Sequence, residues 1–256
     1  MHRLQQLLEE KGLSICKVSL TVVCFLFGVI SFITLLCTNS TANLWHCLAE
    51  MLLVCLPAGV GVALQFRMNT VVYFFLHFYA ISPLLGEMYH LYHVFPWWDD
   101  LLHITGGVVF AFFGIFLVKF FNDHREISLK FCALFALCFS IALSTVWELY
   151  EFGCDRIFNT DMQKDTVVTS IDSYFLSDER GEIGRLESIE NVTVDGVALD
   201  VEGYLDIGLN DTMRDLLCAF LGSILAVTAF LIDRDKHPIF IPIKKQLNET
   251  PKAEFT

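Results

Sequence analysis

The chain has 256 residues, of which 55% are hydrophobic, and it carries a formal net charge of −12 at pH 7. A soluble domain is usually about 45–50% apolar, so this composition indicates a membrane protein. The acidic balance and the lack of a basic stripe with interleaved aromatic residues argue against nucleic acid as a partner. None of the nine cysteines forms a C-x-x-C pair, so the sequence predicts neither a cysteine zinc site nor a redox pair.

The chain begins with a short amphipathic stretch and continues with long apolar segments. Leu4, Leu7 and Leu8 fall on one helical face, which predicts an interfacial helix at the membrane surface. About 20 mostly apolar residues are needed for a helix to span the hydrocarbon core. Six stretches meet this requirement: 15–37, 43–65, 70–93, 100–121, 128–153 and 212–232. We therefore predict an all-α integral membrane protein with a bundle of six transmembrane helices.

An acidic insertion separates the fifth and sixth spans. Residues 154–210 contain runs rich in β-branched residues, and Asp195-Gly196 lies between two of them, which is a strong hairpin signal. The predicted organisation is thus the interfacial helix and five spans in 1–153, a small β-rich insertion in 154–210, the sixth span in 211–233 and a tail in 234–256.

Basic residues are distributed unequally between the two sides of the predicted bundle. Twelve of the seventeen Lys and Arg residues fall on the side of the N-terminus, and the two short loops on the other side contain none. The positive-inside rule then places both termini and the tail in the cytoplasm. The insertion is predicted to be extracytoplasmic.

Ionisable residues gather at the predicted outer ends of the last four spans. They occur three or four residues apart, a spacing that places two side chains on one helical face. Carboxylates and imidazoles on four facing helices are the ligands of dinuclear carboxylate sites in helical bundles. We take eight residues as candidate metal ligands and assign none a catalytic role: Glu87, His90, Asp100, His103, Glu148, Glu151, Asp211 and Asp215. Arg214 is the candidate counter-ion or anion-binding residue.

The candidate ligands favour a divalent metal without selecting one. Oxygen-rich sites suit Mg²⁺, Mn²⁺ or Ca²⁺, and added imidazole also allows Fe or Zn. Structural explanations remain open for individual residues. Asp99, Asp100 and Asp211 are predicted at helix N-termini, where an acid caps backbone amides and suits the helix dipole. His46, His77 and His124 have no comparable pairing, and we interpret them as structural.

Three motifs follow one another at these helix ends: Asp100-x-x-His103-x-x-x-Gly107, Trp147-Glu148-x-x-Glu151, and Asp211-Thr212-x-x-Asp215 with Gly222 downstream. In this ordered set the chain resembles a bacterial family of polytopic membrane proteins, typified by the inner-membrane protein YjdF. The likeness covers about residues 80–230. It implies a multi-pass protein of the bacterial inner membrane, and it does not imply a particular activity.

Three functions are compatible with these features. The first is a metal-dependent enzyme that acts on a lipid or envelope substrate at the outer leaflet. The second is a structural or partner-binding membrane protein in which the acids only lock helices together. The third is a cation- or proton-coupled transporter, which requires polar residues toward the cytoplasmic side. The inner halves of the fourth and sixth spans are nearly devoid of them.

Overall fold

A computed structural model describes residues 2–38, 44–122, 127–234, 236–237 and 240–242. Within these ranges, six side chains are also left out of the description: His2, Leu4, Trp45, His46, Phe240 and Pro242. The predictions for His46, for His124 and for the tail after residue 242 lie outside what the structure describes.

Helices make up most of the described chain. Their bounds are α1 His2–Glu10, α2 Ile15–Cys37, α3 Leu44–Ala63, α4 Thr70–Met88, α5 Leu91–Val94, α6 Trp98–Phe121, α7 Leu129–Phe158 and α8 Leu209–Asp233. Among the described residues, five helices are long and apolar enough to cross a membrane, namely α2, α4, α6, α7 and α8. The segment predicted as the second span forms α3, whose apolar part, Cys47–Ala63, is shorter than these five. A sixth span therefore remains a prediction.

The predicted helix over 70–93 is wrong at its C-terminal end. Helix α4 ends at Met88, and the short helix α5 begins at Leu91. Between them His90 has a φ of 58°, a left-handed conformation that interrupts a right-handed helix. The apolar pattern continues through this break, so composition alone extends the helix too far. As a result Glu87 lies next to the last residue of α4.

The described chain divides into two compact units. One comprises residues 1–144 and 218–256, and the other comprises residues 145–217. The smaller unit contains six short strands: β2 Thr166–Val168, β3 Ile171–Ser173, β4 Gly184–Leu186, β5 Thr193–Val194, β6 Val197–Ala198 and β7 Tyr204–Asp206. They form three separate antiparallel pairs, β2 with β7, β3 with β4, and β5 with β6.

Local chemistry explains two of these strand pairs. Asp195 and Gly196 connect β5 to β6, and both have positive φ, as a tight hairpin turn with the right-handed twist of its strands requires. Asp172 and Arg185 lie opposite each other in β3 and β4, and Arg185 Nε donates to Asp172 Oδ1 over 2.5 Å. The guanidinium hydrogen bonds lower the pKa of Asp172. Because both side chains are exposed, this ion pair contributes little to stability.

The larger unit contains a strand pair for which the sequence offered no signal. Strand β1, Phe66–Met68, lies between α3 and α4 and pairs antiparallel with β8, Phe240–Pro242. Part of the segment predicted as tail is thus attached to the α3–α4 connection.

Helices α6, α7 and α8 pack closely within the larger unit. An apolar core fills the space where they meet and consists of Ile115, Val118, Cys132, Ala133, Ala136 and Phe230. A Cβ added to Gly107 of α6 would overlap the backbone oxygen of Ala219 in α8, and one added to Gly222 of α8 would overlap that of Ile104 in α6. Small residues let the two backbones approach, which is how membrane helices gain packing energy.

Alanine at Gly222 tests this close packing. We expect Gly222→Ala to lower the free energy of unfolding by about 1–3 kcal/mol, because its Cβ would force α6 and α8 apart. Thermal unfolding in detergent, followed by circular dichroism, measures the effect. The matched control is Gly59→Ala in α3, where a Cβ would have no neighbour within 4 Å. Equal melting temperatures for the two variants would show that the close approach does not stabilise the protein.

Candidate functional site

Three carboxylates meet within the smaller unit, two from α7 and one from α8. Glu148, Glu151 and Asp215 each offer one oxygen, and these oxygens all lie within 4.8 Å of one another. The three side chains are 4%, 8% and 2% exposed, respectively. We call this group the carboxylate cluster. Its members belong to the ligand set predicted from the sequence.

The sequence of α7 explains why its two acids are buried. Glu148 and Glu151 are three residues apart and so share one face of the helix. Leu149, Tyr150 and Phe152 point elsewhere and are exposed, as residues that face lipid would be. A helix in hydrocarbon turns its apolar side chains outward and its charged ones toward protein, because an ionised group in lipid costs several kcal/mol.

Electrostatic repulsion limits the states that the carboxylate cluster can adopt. Two ionised oxygens 4.8 Å apart repel each other by on the order of 3 kcal/mol at an effective dielectric constant of about 20. The cluster therefore requires compensation from protons, from a cation of the protein or from a metal ion. The indole Nε1 of Trp147 donates to Glu151 Oε1 over 2.9 Å and holds that oxygen in place.

Asp99 and Asp100 lie in the first turn of α6. Nε2 of His103 lies 3.8 Å from Asp99 Oδ1, one helical turn earlier. The predicted ligand set contains Asp100 and His103 but not Asp99, although the four-residue spacing of Asp99 and His103 is visible in the sequence. Asp100 instead accepts a hydrogen bond from the thiol of Cys218, with 3.6 Å between Sγ and Oδ1.

Glu87 and His90 are exposed at the end of α4. The ring of His90 lies 6.1 Å from that of His93, measured between centroids. Within the described part of the chain, neither Glu87 nor His90 belongs to a group of three ligand atoms as close as those of the carboxylate cluster. The left-handed turn at His90 ends the helical register on which their predicted pairing depended.

Asp211 holds the loop that precedes α8. Its Oδ2 accepts a hydrogen bond from the backbone amide of Lys164 over 2.9 Å. The side chain of Gln163 donates to the hydroxyl of Thr212 beside it. Asp211 is in the first turn of α8, where an acid suits the helix dipole, and the backbone amide that it binds belongs to the preceding loop. Arg214, the candidate counter-ion, has an exposed side chain in the same helical turn.

Asp155 fastens the same loop to the end of α7. Its carboxylate accepts three hydrogen bonds of 2.7–2.8 Å, from the backbone amides of Met162 and Gln163 and from the hydroxyl of Thr160. The segment 160–164 is therefore attached to both helices by carboxylates, and the two acids shape the loop.

Buried polar residues in α2, α3 and α4 lie outside the predicted set of site residues. Lys17 Nζ donates to the backbone oxygen of Met68, and the Lys17 side chain is 4% exposed. His77, interpreted as structural, is 1% exposed and lies 2.9 Å from Thr21 Oγ1 through its Nε2. Glu50 in α3 is 2% exposed. The sequence signal for these buried residues is that each is a single ionisable residue inside a long apolar run.

Long apolar helices with acids buried between them define a membrane protein that crosses the bilayer several times. The sequence profile of the family described as Predicted membrane protein (DUF2238) matches residues 18–236. The chain belongs to this family. Comparison with curated proteins gave no match, and comparison with solved structures gave none either.

Removing the Asp155 carboxylate should free the loop at the end of α7. Asp155→Ala loses the three hydrogen bonds to residues 160–163. A decrease of one or two kcal/mol in the free energy of opening this loop raises the population of the opened loop roughly 5–30-fold. We expect trypsin to cleave after Arg156 and Lys164 faster by about that factor. Asp200→Ala, which removes an exposed acid from the insertion, is the control. Unchanged cleavage in Asp155→Ala would contradict the anchoring role.

Proposed function

We propose that the carboxylate cluster binds a divalent cation and that the protein is a metal-dependent membrane enzyme. The observation that supports this is the burial of Glu148, Glu151 and Asp215 to more than nine-tenths, with their oxygens within 4.8 Å. Bringing three acids together at such a site is unfavourable unless something positive joins them. A divalent ion compensates the repulsion and uses the oxygens as ligands at the same time.

The donor set determines which ions fit the cluster. Carboxylate oxygens alone suit Mg²⁺, Mn²⁺ and Ca²⁺. Fe or Zn would be favoured where an imidazole joins the carboxylates, and the cluster of Glu148, Glu151 and Asp215 itself contains none. When bound, such an ion would polarise a substrate oxygen or activate a water molecule. Around it, Trp147 would keep Glu151 oriented through its indole hydrogen bond.

The proposed substrate follows from the proposed location of the cluster. The distribution of Lys and Arg favours both termini on the cytoplasmic side. In the bacterial inner membrane that the family resemblance implies, the ends of α7 and α8 that bear the cluster would then lie at the outer leaflet. A substrate reaching this level from the bilayer would be a lipid headgroup or an envelope intermediate attached to lipid.

A helix-locking role is the second candidate, and hydrogen bonds within the larger unit favour it. Ser140 Oγ of α7 donates to the backbone oxygen of Gly107 in α6 over 2.9 Å. Ser223 Oγ of α8 lies 2.8 Å from Ser140 Oγ. These groups join three helices without an ion, and protonated acids in the carboxylate cluster would add to the same kind of interhelical bonding.

Metal content separates the two candidates. Wild-type protein, purified in detergent and loaded with Mg²⁺, Mn²⁺, Fe²⁺, Zn²⁺ or Ca²⁺ in turn, should retain one of these ions stoichiometrically in elemental mass spectrometry. The double variant Glu148→Gln, Asp215→Asn should lose it. An ion at 100 times its dissociation constant should also stabilise the wild type by about 2.7 kcal/mol, visible in thermal unfolding and reversed by a chelator.

The matched control removes the same number of charges elsewhere. Glu190→Gln with Asp200→Asn changes two exposed acids of the insertion and should leave ion retention unchanged. Retention of none of the five ions by the wild type would refute the metal-dependent enzyme. A double variant that is also less stable without metal would then favour the helix-locking role.

A further inference from the structure

Glu50 occupies a position in α3 where a membrane protein ordinarily places an apolar side chain. Cys47, Glu50 and Val54 follow one another along the buried face of the helix and are 0%, 2% and 0% exposed. The neighbours of Glu50 in sequence, by contrast, include exposed Leu48, Leu52 and Leu53. The carboxyl group is therefore directed into the protein and away from lipid.

The opposing helix α2 leaves room for this carboxyl group. A Cβ added to Gly28 would overlap Glu50 Oε2, so the carboxyl fills the space that glycine leaves open. Cys24 and Ser31 lie about one turn to either side of Gly28 on α2, and both are buried. Within the described part of the chain, neither carboxyl oxygen of Glu50 has a hydrogen-bond partner, and the hydroxyl of Ser31 has none.

The elements packed against α3 contribute titratable groups but no counter-ion for Glu50 among the described residues. On α3 and α2 the nearest are the thiols of Cys47 and Cys24, which interact with it electrostatically. Lys17 lies 11 residues before Gly28, about 16 Å along α2, and its ammonium group is bonded to Met68. On the α4 side, Tyr73 and His77 bond to Thr21, and Arg67 lies in β1.

Among the described residues, an ionised carboxylate at this place would have neither a hydrogen bond nor an opposite charge to offset its desolvation. That costs far more than burying the neutral acid, which keeps only the smaller penalty of an unsatisfied polar group. The neutral form is the carboxylic acid, in which the carboxylate has bound one H⁺. Release of the proton would require water or a cation to enter between α2 and α3.

We propose that Glu50, which faces Gly28 in the α2–α3 interface, is a proton-binding site of the larger unit. Its carboxyl group holds a proton at neutral pH and exchanges it with water. Polar groups also lie between α2 and α4. The ring of His77 pairs through Nδ1 with the backbone oxygen of Tyr73 over 2.9 Å. That ring contacts Thr21 Oγ1 at 2.9 Å, and Thr21 Oγ1 lies 2.6 Å from the hydroxyl of Tyr73.

These groups are not bonded to Glu50, whose carboxyl oxygens have no hydrogen-bond partner among the described residues, so water would have to carry a proton between them. Imidazole and hydroxyl groups both donate and accept hydrogen bonds and can therefore take up a proton that water delivers. The proposal involves α2, α3 and α4 and does not depend on a metal in the carboxylate cluster. The two proposals can therefore fail separately.

Infrared difference spectroscopy tests the Glu50 proposal directly. A protonated carboxyl has a carbonyl-stretch band that a carboxylate lacks. In the spectrum of the wild type minus Glu50→Gln, recorded at pH 7 in an ester-free detergent, we expect this band with the area of one acid per chain. The band should shift after transfer to D₂O, and it should convert reversibly to carboxylate bands as the pH is raised.

An exposed acid of α1 provides the control. Glu10→Gln removes an exposed acid of α1, and its difference spectrum should contain carboxylate bands only. Glu50→Leu provides a second subtraction if the glutamine variant does not fold. Carboxylate bands from Glu50 at pH 7 would overturn the proposal, because the site would then be ionised. An acid band that neither shifts in D₂O nor responds to pH would overturn proton exchange.

Discussion

The free-energy cost of charge in an apolar interior is the constraint on which the arrangement of this chain depends. Its long helices turn leucines and phenylalanines outward, and the acids that lie away from the helix ends are buried against protein. Glu148, Glu151, Asp215 and Glu50 are all less than one-tenth exposed, whereas Leu149 is 65% exposed. This distribution is the reverse of that in a soluble protein, and it suits a chain whose solvent is lipid.

Acids can be buried in such a protein only where helices approach closely enough to exclude lipid. Gly107 and Gly222 bring the backbones of α6 and α8 together, and the Ser140 and Ser223 hydroxyls join these helices to α7. In α2, Gly28 has a different role, because the space it leaves holds a carboxyl group. Small residues thus serve both to bring helices together and to accommodate a polar side chain between them.

The two buried acidic features differ in the partner that each requires. The carboxylate cluster concentrates up to three negative charges within 4.8 Å, which the proposed divalent ion would offset. Glu50 carries at most one charge among apolar and sulfur-containing neighbours, so a single proton is sufficient. The two proposals would place two different chemistries in one membrane protein.

The sequence by itself determined the membrane class and most helix bounds, because both depend on local composition. The predicted ranges of the spans that became α2, α6 and α8 agree with the structure to within three residues. Glu148 and Glu151 were recognisable as a pair because a spacing of three places two side chains on one face of any α-helix. Membership of the family rests on the sequence as well.

Only the tertiary structure decided which polar groups meet across helices. The end of α4 at Met88 follows from a left-handed residue, and the position of Glu50 opposite Gly28 follows from how α2 and α3 are packed. Cys218, whose thiol donates a hydrogen bond to Asp100, lies more than a hundred residues away from it in the sequence. Such contacts depend on helix rotation and backbone approach, and the spacing of residues within one helix carries no information about either.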